Sequence, residues 1–197
     1  MKEFKTTIEG RLKTHIMLWS ACMKIYELAK EAFQNKKPCF DYQLTTILLT
    51  YLTYEAYLNY LGSIVAPDEW QHERNYFNSK VYRGHEGKLK KICEKISYKF
   101  NKSTRPYQTI KKLSRCRNLL VHGKPEQYRK CLVHKKNNEP SLFGHATINK
   151  LVSHDNMMRA VKDIADFVEK LNCQAKTQFP DKLTAEHALY DFKEESS

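Results

Sequence analysis

An all-α bundle of four to five helices is the fold the sequence predicts, and three features predict it. Gly and Pro are scarce, at six each in 197 residues, so the chain has few points at which regular structure must break. Its longer segments repeat apolar residues at three- and four-residue steps, the period of a helix buried along one side. The length suits one domain that buries a continuous core without staples. A single domain is expected over residues 1–176, with residues 177–197 as a tail, polar at its end, that frays. No internal repeat or low-complexity tract interrupts this pattern.

The elements follow in order. Over residues 2–35, Phe4, Ile8, Leu12, Ile16, Trp19, Met23, Tyr26 and Phe33 mark one long amphipathic helix, ended by "QNKKP". Residues 41–65 form a second helix, apolar nearly all round and therefore expected at the centre, stopped by Pro67. From 67 to 84, aromatic residues (Trp70, Tyr76, Phe77) mix with charges, which predicts a short helix or ordered connection lying over the bundle. A third helix is expected over 86–100 through Leu89, Ile92, Ile96 and Phe100, and a fourth over 106–122, ended by "GKP". Residues 127–149 carry two short β-prone runs around "KKNNEP", read as a hairpin or long loop inserted before the last helix. That helix, over 154–173, closes the fold with Met157, Val161, Ile164, Phe167, Val168 and Leu171.

A formal charge of +12 and a pI near 9.3 favour a polyanionic partner, nucleic acid or an acidic protein surface. The six cysteines are widely spaced with no C-x-x-C, which is not a disulfide framework and fits a reducing, cytoplasmic setting. No signal peptide is expected, because the apolar run at 16–23 is interrupted by Ser20 and closed by Lys24. Residues 45–66 are long enough to span a bilayer, but Glu55 sits at their centre, where a carboxylate costs roughly 2.5–3.5 kcal/mol. A buried bundle helix and no membrane contact are therefore expected. Cys131, His134, His145 and His154 include a C-x-x-H pair, but the later gaps match no zinc finger, so neither a metal nor a cofactor is expected. Phosphate-binding glycine loops and the G-x-S-x-G elbow are absent from the sequence.

The fourth helix carries the chemistry. On a helical wheel Ile110, Leu113, Arg117, Leu120 and Val121 share one side, which places Arg117 within an apolar stripe. A guanidinium there needs a carboxylate or a route to solvent. Glu55 on the second helix, with Asn59 one turn later on the same face, is the expected partner, so a polar pocket should lie between the two helices. Lys111, Arg115, Asn118 and His122 fall on a neighbouring face, a cationic strip suited to phosphate or else a solvated face whose His complements the helix dipole. Tyr107 and Tyr128 are either stacking platforms for bases or ordinary packing.

The run "CRNLLVHGKP" resembles the motif of the HEPN superfamily (higher eukaryote and prokaryote nucleotide-binding domains), in which Arg and then Asn, Asp or His precede a His separated from the Arg by four to six residues. Here these are Arg117, Asn118 and His122. Two further Arg–His spacings fit, Arg115 to His122 and Arg129 to His134, but Cys116 and Lys130 follow their arginines. The run "YEAYLNYL", with Glu55 and Asn59, is also similar to the helix that faces the motif in some HEPN families. The resemblance covers residues 10–175 or so, without the 127–149 insertion.

That resemblance implies a metal-independent endoribonuclease working as a homodimer with a composite active site. His122 would take the proton of a ribose 2′-OH, and Arg117 would hold the phosphoryl oxygens. Asn118 would orient His122 or touch phosphate, Glu55 would fix Arg117 with Asn59 beside it, and Lys111, Arg115 and Lys124 would bind the RNA backbone. Arg117 and His122 lie about 140° apart on an ideal helix. They converge only if the Arg bends across, if the last turn departs from ideality, or if a second protomer supplies one of them. The acid for the leaving oxygen is either the second protomer's His122 or water. Family members of this kind act as toxins or abortive-infection effectors, which implies a cognate antitoxin or sensor protein. Others are non-catalytic RNA-binding or scaffolding subunits, the alternative expectation.

Overall fold

A computed structural model describes residues 12–123, 147–183 and 187–190. These residues form eight helices and no strand: α1 (Thr14–Gln34), α2 (Phe40–Val65), α3 (Pro67–Gln71), α4 (Glu73–Tyr76), α5 (Gly84–Lys95), α6 (Tyr107–Val121), α7 (Thr147–Leu151) and α8 (His154–Gln178). Among the described residues the fold is all-α, as its composition and periodicity require. None of these helices is long and apolar enough to cross a membrane.

Helix α2 is the axis of the bundle and touches α1, α3, α5, α6 and α8. It pairs antiparallel with α1, bringing Cys22 to Thr46 and Thr50 at one end and His15 to Tyr57 and Tyr60 at the other. Helix α8 runs parallel to α2, with Phe167 beside Tyr54 and Asn172 beside Tyr57. Small side chains at the seams (Cys22, Ala29, Ala160, Ala175) are buried and let the backbones approach closely. Of the stripe expected on α1, Trp19 and Tyr26 are buried, whereas Leu12 and Phe33 are exposed. The buried row runs instead through His15, Trp19, Cys22, Tyr26, Ala29 and Ala32.

Several boundaries differ from expectation. Helix α5 stops at Lys95 and not at residue 100, because Ser97 turns left-handed at φ 54° and the Tyr98 N–H closes back on the Cys93 carbonyl at 2.9 Å. That turn swings Tyr98 towards Phe167 and Phe100 towards Tyr107. Residues 67–84 hold two short helices folded over the bundle by a Trp70–Phe77 edge contact at 4.7 Å and a Lys91–Glu69 ion pair at 2.9 Å. Most of the expected hairpin, and with it Lys124, Tyr128, Cys131, His134 and His145, lies outside the described residues. Residues 147–149 open helix α7, whose Ile148 and Leu151 pack on the core. The start of the last helix is set by Ser153, which is extended and accepts a bond from the Asn156 N–H at 3.2 Å.

The expected fraying after Lys176 does not occur across the described residues. Helix α8 continues to Gln178, and Leu183, Ala188 and Leu189 are buried. The Ala188 N–H donates to Glu169 Oε2 at 3.0 Å, and Tyr190 lies edge-on to Trp19.

Two contacts outside α2 fix neighbouring helices. Asp163 on α8 is 8 % exposed and accepts from Arg105 Nε at 2.8 Å and from the Thr109 hydroxyl, tying the start of α6 to α8. Burial pushes this carboxyl up, but the bonds from Arg105 and Thr109 outweigh burial and hold it below its ordinary value. A Cβ on Gly87 would lie 2.1 Å from the Tyr82 carbonyl carbon, so the first turn of α5 sits directly on backbone.

Gly87→Ala should therefore destabilise the protein by about 1–3 kcal/mol despite alanine's better helix propensity, read as a lower Tm. Asp163→Asn should lower the unfolding free energy by about 1.5–3 kcal/mol at neutral pH in urea titrations. The folded carboxyl titrates below its unfolded value, near 3.9, so the unfolded chain binds more protons in that window and the stabilisation is lost as pH falls. The gap between wild type and variant should accordingly narrow below about pH 4.

Candidate functional site

Helix α6 sorts its polar residues much as its wheel implies. Lys111, Arg115, Asn118 and His122 are all exposed on one face. Arg117 is half-buried, next to the buried Leu113, Ser114 and Cys116. The apolar stripe does not continue to the end of the helix. Leu119, Leu120 and Val121 are 38 %, 37 % and 58 % exposed, because the last turn runs beyond the cover of its neighbours. His122 is the C-cap, at φ −107° and ψ 24°, with its N–H on the Asn118 carbonyl at 3.0 Å. The chain thus leaves helical geometry at the imidazole itself.

The Arg117 guanidinium is not held by Glu55. Its Nη1 donates to Asn118 Oδ1 at 3.1 Å, and Glu55 Oε1 accepts from the Tyr51 hydroxyl at 3.1 Å. The two charges nonetheless share one region, since both act on Tyr51 and on His85. Ser114, one turn before Arg117, also reaches the Tyr51 hydroxyl. Burial pushes the Tyr51 phenol well above its ordinary range, so it stays protonated and donates to the carboxylate.

His85, the second residue of α5, completes this cluster. Its ring lies edge-on to Tyr51 at 5.9 Å and to Tyr54 at 6.5 Å between centroids. Burial pushes the imidazole below its ordinary value; Glu55 and Glu86 pull it up, and the Arg117 charge adds to the downward push. Sequence reasoning passed over His85. The available signal was its place in "RGHEGK", between Gly84, which has φ 61°, and the tightly seated Gly87.

Glu55, Asn59 and His85 line a cleft of about 410 Å³ between α2, α4 and α5. Lys88 Nζ donates to Asn59 Oδ1 at 2.8 Å and pairs with Glu73, so this end of the cleft is internally neutralised. Arg117 and His122 are not among the lining residues. The structure thus brings Glu55, Asn59 and the unforeseen His85 to one cleft, with the Arg117 charge acting on His85 and Tyr51 from α6, and leaves Lys111, Arg115 and His122 on the open face of α6. Chemically, this region offers a cation for an oxyanion and an imidazole able to carry a proton. Among the described residues no set of His, Cys, Asp and Glu could hold a metal ion, and His154 stacks on Phe33 at 3.8 Å. Cys22, Cys39, Cys93, Cys116 and Cys173 are free thiols. No protein-family model, curated protein or solved structure matches this chain.

Proposed function

We propose that the chain is a HEPN-type, metal-independent endoribonuclease that acts as a homodimer. In this reading the bundle is HEPN-like, and the segment from residue 127 up to α7 is an insertion within it. One observation carries the proposal. The last turn of α6 presents Asn118 and His122 to solvent, with Arg117 half-buried beneath and exposed Leu119, Leu120 and Val121 on the same turn. An apolar patch interleaved with a guanidinium and an imidazole suits a two-fold contact, in which His122 of one protomer meets Arg117 of the other.

The chemistry is written on RNA. His122 takes the proton of a ribose 2′-OH, O2′ bonds to the adjacent phosphorus, and the bond to O5′ breaks, leaving a 2′,3′-cyclic phosphate and a 5′-hydroxyl. Arg117 binds the non-bridging oxygens as charge grows on them. Asn118, which already accepts from Arg117, orients that guanidinium. Lys111, Arg115 and Lys124 bind neighbouring phosphates, in keeping with a charge of +12. An RNase of this kind fits a toxin or abortive-infection effector in the cytoplasm, restrained by a cognate antitoxin or sensor protein.

A second reading is favoured by a specific feature: within one chain Arg117 bonds to Asn118 and not to His122. A non-catalytic RNA-binding or scaffolding subunit needs no such convergence.

The proposal is tested by RNA cleavage in EDTA with wild type, Arg117→Ala and His122→Ala. The wild type should cut to cyclic-phosphate ends, and each variant should lose about 10²–10⁴-fold in rate. Equal behaviour of the three folded proteins would leave only the scaffold reading. On a sizing column the wild type should run as a dimer and Leu120→Asp as a monomer with little activity. A fully active monomeric variant would reject the composite site.

A further inference from the structure

Cleavage by 2′-OH attack moves two protons, one off O2′ and one onto O5′, and His122 accounts for the first alone. We propose that His85 is the second proton-transferring imidazole of this site, the acid that protonates the departing 5′-oxygen, with the departing nucleoside in the cleft beside it. The inference rests on the ribonuclease reading.

Geometry carries it. The His85 ring is fixed between Tyr51 and Tyr54, and Tyr51 in turn is bonded to Glu55 and approached by Ser114 and Arg117 of α6. Its place at the head of α5 is set by the turn at Gly84 and by the contact of Gly87 with the Tyr82 backbone. Among the described residues its ring nitrogens make no hydrogen bond, and the ring borders the cleft. At about 410 Å³ that cleft falls within the range of small-ligand sites and is large enough for a nucleoside. Asn59 and Glu55 supply hydrogen-bonding groups along it, and Arg74 at its rim has no ion-pair partner among the described residues. A phosphodiester on Arg117 thus has an imidazole and a nucleoside-sized cleft on its α2–α5 side.

The electrostatics supply the timing. Tyr51, Tyr54 and Glu55 from α2, Glu86 from the same helix and Arg117 from α6 face His85. In the free protein burial, with a smaller push from Arg117, holds the imidazole below its ordinary value against the pull of Glu55 and Glu86. A phosphodiester on Arg117 offsets that positive charge and adds a negative one, which favours the imidazolium. Substrate therefore brings the acid into its working form. As the P–O5′ bond breaks, its electron pair stays on O5′ and a ring N–H of His85 gives it a proton. His122 then releases its proton to water, while His85, which took its proton from water as substrate bound, has given it up to O5′, and this restores the site.

The test compares two substrates: an oligoribonucleotide, whose 5′-alkoxide needs an acid, and uridine 3′-(4-nitrophenyl phosphate), whose phenolate leaves without one. His85→Ala and His85→Asn should slow RNA cleavage about 10²-fold or more, yet cut the nitrophenyl ester within about 3-fold of wild type. The alkaline limb of the kcat/KM profile should vanish in both variants, while their thermal melts stay close to wild type. His122→Ala should fail on both substrates. Equal loss on both substrates for both His85 variants would mark a structural role and overturn the inference, as would RNA cleavage at the wild-type rate. The ribonuclease reading would survive either result, provided that His122→Ala is inactive. If Arg117→Ala and His122→Ala cleave like the wild type, the reading and the inference fall together.

Discussion

A helix enclosed by its neighbours cannot hand its polar side chains to water, and α2 meets that constraint only in part from within. Thr46 and Thr50 donate to carbonyls one turn back, on Tyr42 and Thr46, each at 2.8 Å. Cys22 of α1 then docks on Thr50 at 3.3 Å, and the Tyr57 hydroxyl meets Asn172 of α8. Thr46 and Thr50 are thus satisfied within or beside the helix and Tyr57 by α8, whereas the Thr53 and Tyr54 hydroxyls are buried without a partner among the described residues, a cost that burial against α1, α6 and α8 has to offset. What remains is the stretch from Tyr51 to Asn59, where α6 and α5 diverge around it and Glu55 keeps contact with water. The cleft and the Arg117 region are therefore consequences of how the central helix is packed.

The same constraint explains what the sequence disclosed of the fold. The near-continuous apolar run at 45–66 and its single carboxylate, Glu55, announced a central bundle helix, and no described helix is long and apolar enough to cross a membrane. The fourth helix was marked by periodicity and its closing "GKP" and the last by periodicity alone, while the N-cap at Ser153 emerged only from the structure. The first helix was harder to read, because half of its buried row is small (Cys22, Ala29 and Ala32, beside His15, Trp19 and Tyr26) while large side chains such as Phe33 stay outside. Close helix pairing selects small residues, and a search for large apolar steps misses them. Ser97 in the left-handed region and the burial of Leu183 and Leu189 depend on tertiary contacts that carry no local signal.

The site was legible on α6 and much less so beyond it. Residue spacing along one helix is enough to put Lys111, Arg115, Asn118 and His122 on one exposed face, and to set Arg117 apart from them. Which carboxylate the Arg meets is a question about two helices, and there Tyr51 intervenes by engaging Glu55. Asn59 is likewise engaged by Lys88. His85 escaped notice because its neighbours come from α2 and α6, more than thirty residues away on one side and about as far on the other. Only packing assembles that group.

The choice of partner for Arg117 has a chemical meaning. A carboxylate in a bidentate pair with it would attract it by about 4 kcal/mol at 4 Å in a surface-like dielectric, and an incoming phosphate would have to compete with that pair. With an amide as its partner, the guanidinium keeps its charge while its direction is restrained. Glu55 meanwhile remains near enough to act on the shared surroundings, and Tyr51 restrains it from swinging across. An arginine held half-buried by a neutral partner retains its demand for an anion. The +12 chain is itself a source of attraction for one. In the ribonuclease reading, an anion on Arg117 offsets the one nearby charge that disfavours the His85 imidazolium and leaves burial as the opposing influence. On that reading, charge neutralisation at Arg117 links anion binding to the proton affinity of His85.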